Sequence, residues 1–144
     1  MKKPVFGGSL RYLLLAAAGA ALMGCGTSRL SKITDDGHLA EQASPTWPSI
    51  EHNGWQPEGS VPNLENLAKV QPGLSKEQVY GLIGRPHFAE GMVGVREWDY
   101  VLNLSPKGGE QARVCQYKLL FDKRMKVASV IWRQESCAEI AAAV

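Results

Sequence analysis

Residues Arg96–Leu104 read REWDYVLNL. Trp98, Tyr100, Leu102 and Leu104 fall at every second position, with Glu97, Asp99, Val101 and Asn103 between them. A period of two is the mark of a β-strand with one apolar face. The alternation returns in RVCQYKLLF, where Cys115, Tyr117, Leu119 and Phe121 share a face, and a third strand follows in KVASVIW. SPKGGEQ and DKRM, between these runs, are rich in turn formers. Three short strands joined by turns make an antiparallel meander. Its one apolar face needs a cover.

The cover lies upstream. Asn63 can cap a helix in NLENLAKV, which places Leu64, Leu67 and Ala68 on one stripe and ends before Pro72-Gly73. A second helix runs from the cap Ser75 to the stop Gly84-Arg85-Pro86. Gln78, three residues after Ser75, completes a capping box, and Leu74 with Val79 forms a hydrophobic staple. Gly84 suits the residue after the last turn, and Pro86 prevents the helix from resuming. A helix this short is marginal alone in water, so it must lie on the sheet. The expected fold is α+β, with two short helices packed on a three-stranded antiparallel sheet, α-α-β-β-β, in two layers.

The first residues serve another purpose. Lys2, Lys3 and Arg11 flank the apolar run Tyr12–Leu22, and no acidic residue appears before Asp35. Such a run is about half of what a membrane-spanning helix needs. A basic start, a short apolar middle and small residues at its end form a secretory signal. LMGC, Leu22–Cys25, resembles the lipobox of bacterial lipoproteins, in which the Cys is acylated and the chain cut before it. That resemblance implies lipid, palmitate included, on Cys25 and a place on the periplasmic face of the outer membrane. Several acyl chains on one residue would anchor firmly, whereas one alone holds marginally. The chain has 16 Lys and Arg against 14 Asp and Glu, and three of the basic residues leave with the signal. A mature form close to neutral has no electrostatic basis for nucleic-acid binding.

Residues 26–62 hold four prolines and many turn formers without a sustained period. They read as a flexible tether reaching roughly 35 Å on average. Trp47, Ile50 and Trp55 are unusual in a solvated tether. They dock either on the folded domain or on a partner. The expected organisation is a signal peptide at 1–24, the lipidated terminus and tether at 25–62, the folded domain at 63–138 and a tail at 139–144. Cys115 and Cys137 remain after processing. An oxidising compartment allows a bridge between them, with two buried thiols as the alternative. In a plain antiparallel register Cys115 lies opposite Arg133 or Gln134, so a bridge requires the strand end to bend.

No catalytic or metal constellation stands out. His38, His52 and His87 form no HxxxH or HExxH pattern, and GxSxG, P-loop and GxGxxG motifs are missing from the sequence. Glu97 and Asp99, together on the polar side of a strand, read as a solvated face or as protection against edge pairing. The glycine-rich stretch Gly84–Trp98 carries Arg85, His87, Phe88, Met92 and Val93. These groups suit contact with a protein or an anionic headgroup, or else Phe88 and Met92 plug the end of the core.

PGLSKEQVYGLIGRP, then REWDYVLNL, then KLLFDKRMKVASV, resembles in order and spacing the BamE (SmpA/OmlA) family of lipoproteins of the outer-membrane β-barrel assembly machinery. Leu74 stands where that family usually has Met. PNLENL, GRPHF, VREWDY and CQYKLLFDK look closer still to BamE-like modules found ahead of OmpA-like domains. The resemblance implies an α-α-β-β-β domain that is no enzyme and takes no cofactor. It implies contacts with barrel-assembly subunits or other envelope proteins, and with anionic phospholipid, through Arg85, Pro86, His87 and Phe88. Related helix–sheet units resemble β-lactamase inhibitor proteins, so an inhibitor-like domain binding a periplasmic hydrolase is the alternative.

Overall fold

The computed structural model describes residues 30–53, 56–88, 93–106, 108 and 111–143. The expected signal, Cys25, Trp55 and Met92 lie outside these residues. In chain order the elements are α1 (Ile50–Asn53), α2 (Leu64–Ala68), α3 (Lys76–Ile83), β1 (Glu97–Leu104), β2 (Arg113–Phe121), β3 (Val127–Trp132) and α4 (Glu135–Ala142). The strands form one antiparallel sheet in the order β1-β2-β3. The α-α-β-β-β order read from the sequence is thus the framework of the domain.

The predicted caps hold the two helices. Asn63 Oδ1 accepts the Asn66 N–H at 2.9 Å. Ser75 Oγ accepts the Gln78 N–H at 3.2 Å, and Gln78 Oε1 accepts the Ser75 N–H at 2.8 Å, closing the capping box. After α3, Gly84 adopts φ +77°. Val79 is fully buried, and Leu74, Leu82 and Ile83 pack around the core. Full burial of one such side chain contributes roughly 1.5–3 kcal/mol. That is why an eight-residue helix persists on the sheet.

Tyr100, Leu102, Leu104, Cys115, Tyr117, Leu119 and Phe121 form the floor under these helices. Edge-on aromatic contacts order it: Trp98 and Phe121 have centroids 5.1 Å apart, and Tyr100 and Tyr117 6.1 Å. Tyr117 packs on Trp132 at 4.5 Å, and its burial pushes the phenol well above its ordinary pKa. The β2–β3 turn is organised by Asp122, whose Oδ1 accepts the N–H groups of Arg124 and Lys126 at 2.8 and 2.9 Å. The Lys126 amide foremost among these bonds holds the carboxyl below its usual range.

Three expectations need correcting. Residues 31–48 of the expected tether are a strap folded across the other face of the sheet, which makes a further layer. Trp47 docks at home: its ring lies 5.1 Å from Lys118 Nζ. Gly59 comes so close to β1 that a Cβ there would stand 2.7 Å from the Val101 carbonyl oxygen, with φ +71° in addition. The second correction concerns the face read as solvated. Glu97, Asp99, Gln116 and Lys118 are buried there with Val101 and Leu120, because the strap covers them. The third is at the C-terminus, where 139–144 was read as a tail and α4 forms instead. It follows a bend at residues 133 and 134, and this bend at the end of β3, as expected, carries Cys137 over Cys115. The two residues form a disulfide with Cα atoms 5.9 Å apart.

Candidate partner-binding surface

Tyr80, Gly84 and Arg85 mark the outer corner of the domain at the end of α3. Tyr80 is 57% exposed and Arg85 is exposed, while Pro86 is half-buried. His87 and Phe88, expected to meet a partner beside them, are each only 3% exposed. Their side chains turn inward, which corrects that expectation: they hold the corner and do not present a surface.

His87 has a specific structural task. Its backbone N–H donates to the Asp99 carbonyl at 2.9 Å, and its Nδ1 accepts the Val101 N–H at 2.8 Å. The ring also meets Tyr100 edge-on at 5.7 Å. His87 therefore occupies the outer edge of β1, where an added strand would otherwise bind. Ser60 continues this closure, donating to the Val101 carbonyl at 3.0 Å and accepting from the Asn103 N–H at 2.8 Å. Desolvation lowers the His87 pKa, with Glu58 opposing the shift in part. A protonated ring would also lose the acceptor facing Val101.

The sign of the pH effect follows. A histidine whose folded pKa is depressed contributes fully above its unfolded value of about 6.5 and loses that contribution as pH falls. Urea midpoints are expected to drop between pH 7.5 and pH 5, and less so in His87→Asn, whose Oδ1 can accept the same N–H without titrating. His87→Ala is expected to cost about 1–3 kcal/mol at neutral pH, since it strands the Val101 amide. Equal pH slopes in the parent and the Asn variant would remove this role.

Under the strap lies a compact charge cluster. Lys118 Nζ donates to Asp99 Oδ2 at 2.6 Å and pairs with Glu97 Oε1. Glu97 also accepts from Ser31, from the backbone N–H at 2.8 Å and from Oγ at 2.9 Å. Ser31 Oγ accepts the Thr46 N–H at 2.9 Å, and Gln116 Nε2 donates to the Pro48 carbonyl at 2.9 Å. The Arg96 guanidinium grips the Thr34 and Asp35 carbonyls at 2.9 and 3.3 Å. The cluster thus fastens the strap. Buried charges of this kind persist only when paired and hydrogen-bonded. No group of three or more His, Cys, Asp or Glu residues able to hold a metal occurs among the described residues. No described helix is long and apolar enough to cross a membrane.

The strap latch escaped the sequence reading, although it left a signal. Val101 and Leu120 are apolar residues on the supposedly solvated face, and Lys118 interrupts an otherwise apolar run opposite Asp99. Both features ask for a second covering layer.

The family model of the outer membrane protein assembly factor BamE domain matches residues 59–130, half of the chain, and the chain belongs to the BamE family. The matched stretch begins at Gly59, where the chain meets the edge of β1, and ends within β3. The strap before Gly59 and helix α4 therefore lie outside it.

Proposed function

We propose that this BamE-family protein is an outer-membrane lipoprotein of the periplasmic face, a binding module without enzymatic activity that supports β-barrel protein assembly or envelope integrity. The observation that carries this reading is the family match across the α-α-β-β-β framework. The lipobox-like LMGC supports it independently. In this reading residues 1–24 are removed and Cys25 is acylated.

The folded strap changes the geometry of anchoring. Cys25 and Leu30 are separated by so few residues that even a fully extended chain reaches only about 18 Å. The roughly 35 Å reach of a flexible tether is replaced by close seating at the membrane. The strap face would then stay near the bilayer, with the corner at Tyr80, Arg85 and Pro86 available to protein partners. Anionic headgroups are within reach of the same domain, and Met92 joins the contact proposal from its position in the sequence.

Affinity capture of the lipidated protein from intact envelopes tests this reading. Barrel-assembly subunits are expected with the parent, at least several-fold less with Arg85→Glu, and little at all with Cys25→Ser. Capture of none, together with unchanged barrel-protein levels on deletion, would reject it.

A further inference from the structure

The two edges of the sheet are treated differently. The outer edge of β1 is closed by His87 and Ser60, through hydrogen bonds at the Asp99 and Val101 carbonyls and at the Val101 and Asn103 N–H groups. On β3 the corresponding closure stops at Val127, which exchanges bonds of 2.8 Å with Gly73 and Leu74. Beyond it the backbone direction follows from the register. Arg133 N–H donates to the Gln116 carbonyl at 3.0 Å, while Trp132 stands opposite Tyr117 and Val130 opposite Leu119. In an antiparallel pair successive residues point their backbone groups alternately toward and away from the neighbouring strand. The N–H and C=O groups of Val130 and Trp132 therefore point outward, and the described residues supply no partner for them. They form two donor–acceptor sets about 6.8 Å apart, the repeat of an extended chain.

Beside this edge a groove of about 270 Å³ opens between α2 and α4, lined by Leu67, Val70, Tyr117, Trp132, Ala138 and Ala141. Its lining side chains are aliphatic or aromatic, with the Tyr117 hydroxyl and the Trp132 indole N–H as their polar groups, and small alanines on α4 leave the space.

We propose that the β3 edge and this groove together bind an extended segment of a client chain by strand addition, with apolar residues at alternating positions. The edge selects an extended backbone, because no other conformation repeats its donors and acceptors at two-residue spacing. The groove selects an apolar side chain on the helix-side face of the added strand. The other face of that strand continues a surface beside Ile131 and meets water at its margin. Alternating apolar and polar residues in segments of about ten residues are the signature of transmembrane β-barrel strands. A second copy fits less well. Its own Val130 and Trp132 are packed on their own core, so neither can fill the facing groove. A bare strand has free side chains. This inference rests on the assembly reading above and names what the module would hold.

The test uses the mature full-length chain and a synthetic ten-residue peptide alternating Leu or Phe with Thr or Gln. A control peptide has the same composition with its apolar residues grouped in one block. Binding of the alternating peptide is expected to slow amide exchange at Val130 and Trp132 by at least 10-fold and to quench Trp132 fluorescence. The control should bind at least 10-fold more weakly. Val130→Pro removes one outward donor without touching the β2–β3 ladder, and Ala138→Phe fills the groove from a half-buried position. Each is expected to weaken binding by 10-fold or more while the circular dichroism spectrum stays that of the parent. Should Val130→Pro fail to fold, Ala138→Phe alone decides.

Equal binding of both peptides, unchanged exchange at Val130 and Trp132, or a dimer seated on β3 in sedimentation and crosslinking would each overturn the proposal. Failure here with continued capture of barrel-assembly subunits by Val130→Pro would leave the assembly reading standing. Peptide binding without such capture would do the reverse.

Discussion

Replacing Lys118 with Met is expected to destabilise the mature domain by about 3–5 kcal/mol, the usual consequence of removing one partner from a buried ion pair. Lys118 is fully buried, and Glu97 and Asp99 on either side of it are 2% and 3% exposed. Without the ammonium, two carboxylates face each other in a site that water does not reach, and the Trp47 ring loses the cation beneath it. A loss this large approaches the whole stability of many domains, so the variant should be largely unfolded at modest urea concentrations. Neutralising the cluster as a unit, in Glu97→Gln with Asp99→Asn and Lys118→Met, should recover most of the loss. A buried pair often contributes little over neutral packing, although breaking it is severe. Urea unfolding of the parent, the single and the triple variant checks this. A single variant within 1 kcal/mol of the parent would mean that the strap opens freely and lets water reach the carboxylates.

Loss of the disulfide carries the second large effect. The bridge between Cys115 and Cys137 spans 22 residues. Closing a loop of that size contributes about 3 kcal/mol in the chain-entropy treatment. The structure also locates where the loss appears first. Helix α4 has eight residues and lacks a side-chain cap bond at Gln134, whose Oε1 accepts the Gln116 N–H at 3.1 Å instead. So short a helix has little stability apart from its packing. Paired Cys115→Ser and Cys137→Ser substitutions are expected to lower global stability by about 3 kcal/mol and to release the amides of Cys137–Ala141 to exchange ahead of those in β2. Coincident exchange of α4 and β2 would show that the helix is held by its apolar contacts alone. Since α4 forms one wall of the groove beside β3, release of the helix would also be expected to abolish the peptide binding proposed above.

Local order explains which parts were legible beforehand. Alternation in REWDYVLNL and RVCQYKLLF, the Ser75–Gln78 box and the Gly84–Pro86 stop each act within a few residues. Strand periodicity and caps are properties of the chain's own neighbours, so they survive without knowledge of the rest. The site was less legible. Arg85 is exposed as expected, whereas His87 and Phe88, in the same short stretch, are interior. A histidine in a glycine-rich loop carries no mark of the strand edge it will close. That edge is formed by residues more than ten positions away, and Val101 supplies the N–H.

The order of two helices and three strands, the position of their ends and the face each strand offers to the helices follow from the amino-acid pattern, because backbone periodicity and capping are short-range. Whether the opposite face met water did not. The strap joins Ser31 to Glu97 across 66 positions and Gln116 to Pro48 across 68. Proline-rich, aperiodic chain adopts a defined path only when a folded surface supplies the partners for its backbone and rings. The same holds for α4, which lies where a disulfide and an apolar floor receive it. Contacts between distant residues, rather than local preference, decided that Glu97, Asp99 and Lys118 became an interior latch, and that one edge of the sheet was closed while the other, beyond Val127, finds no backbone partner among the described residues.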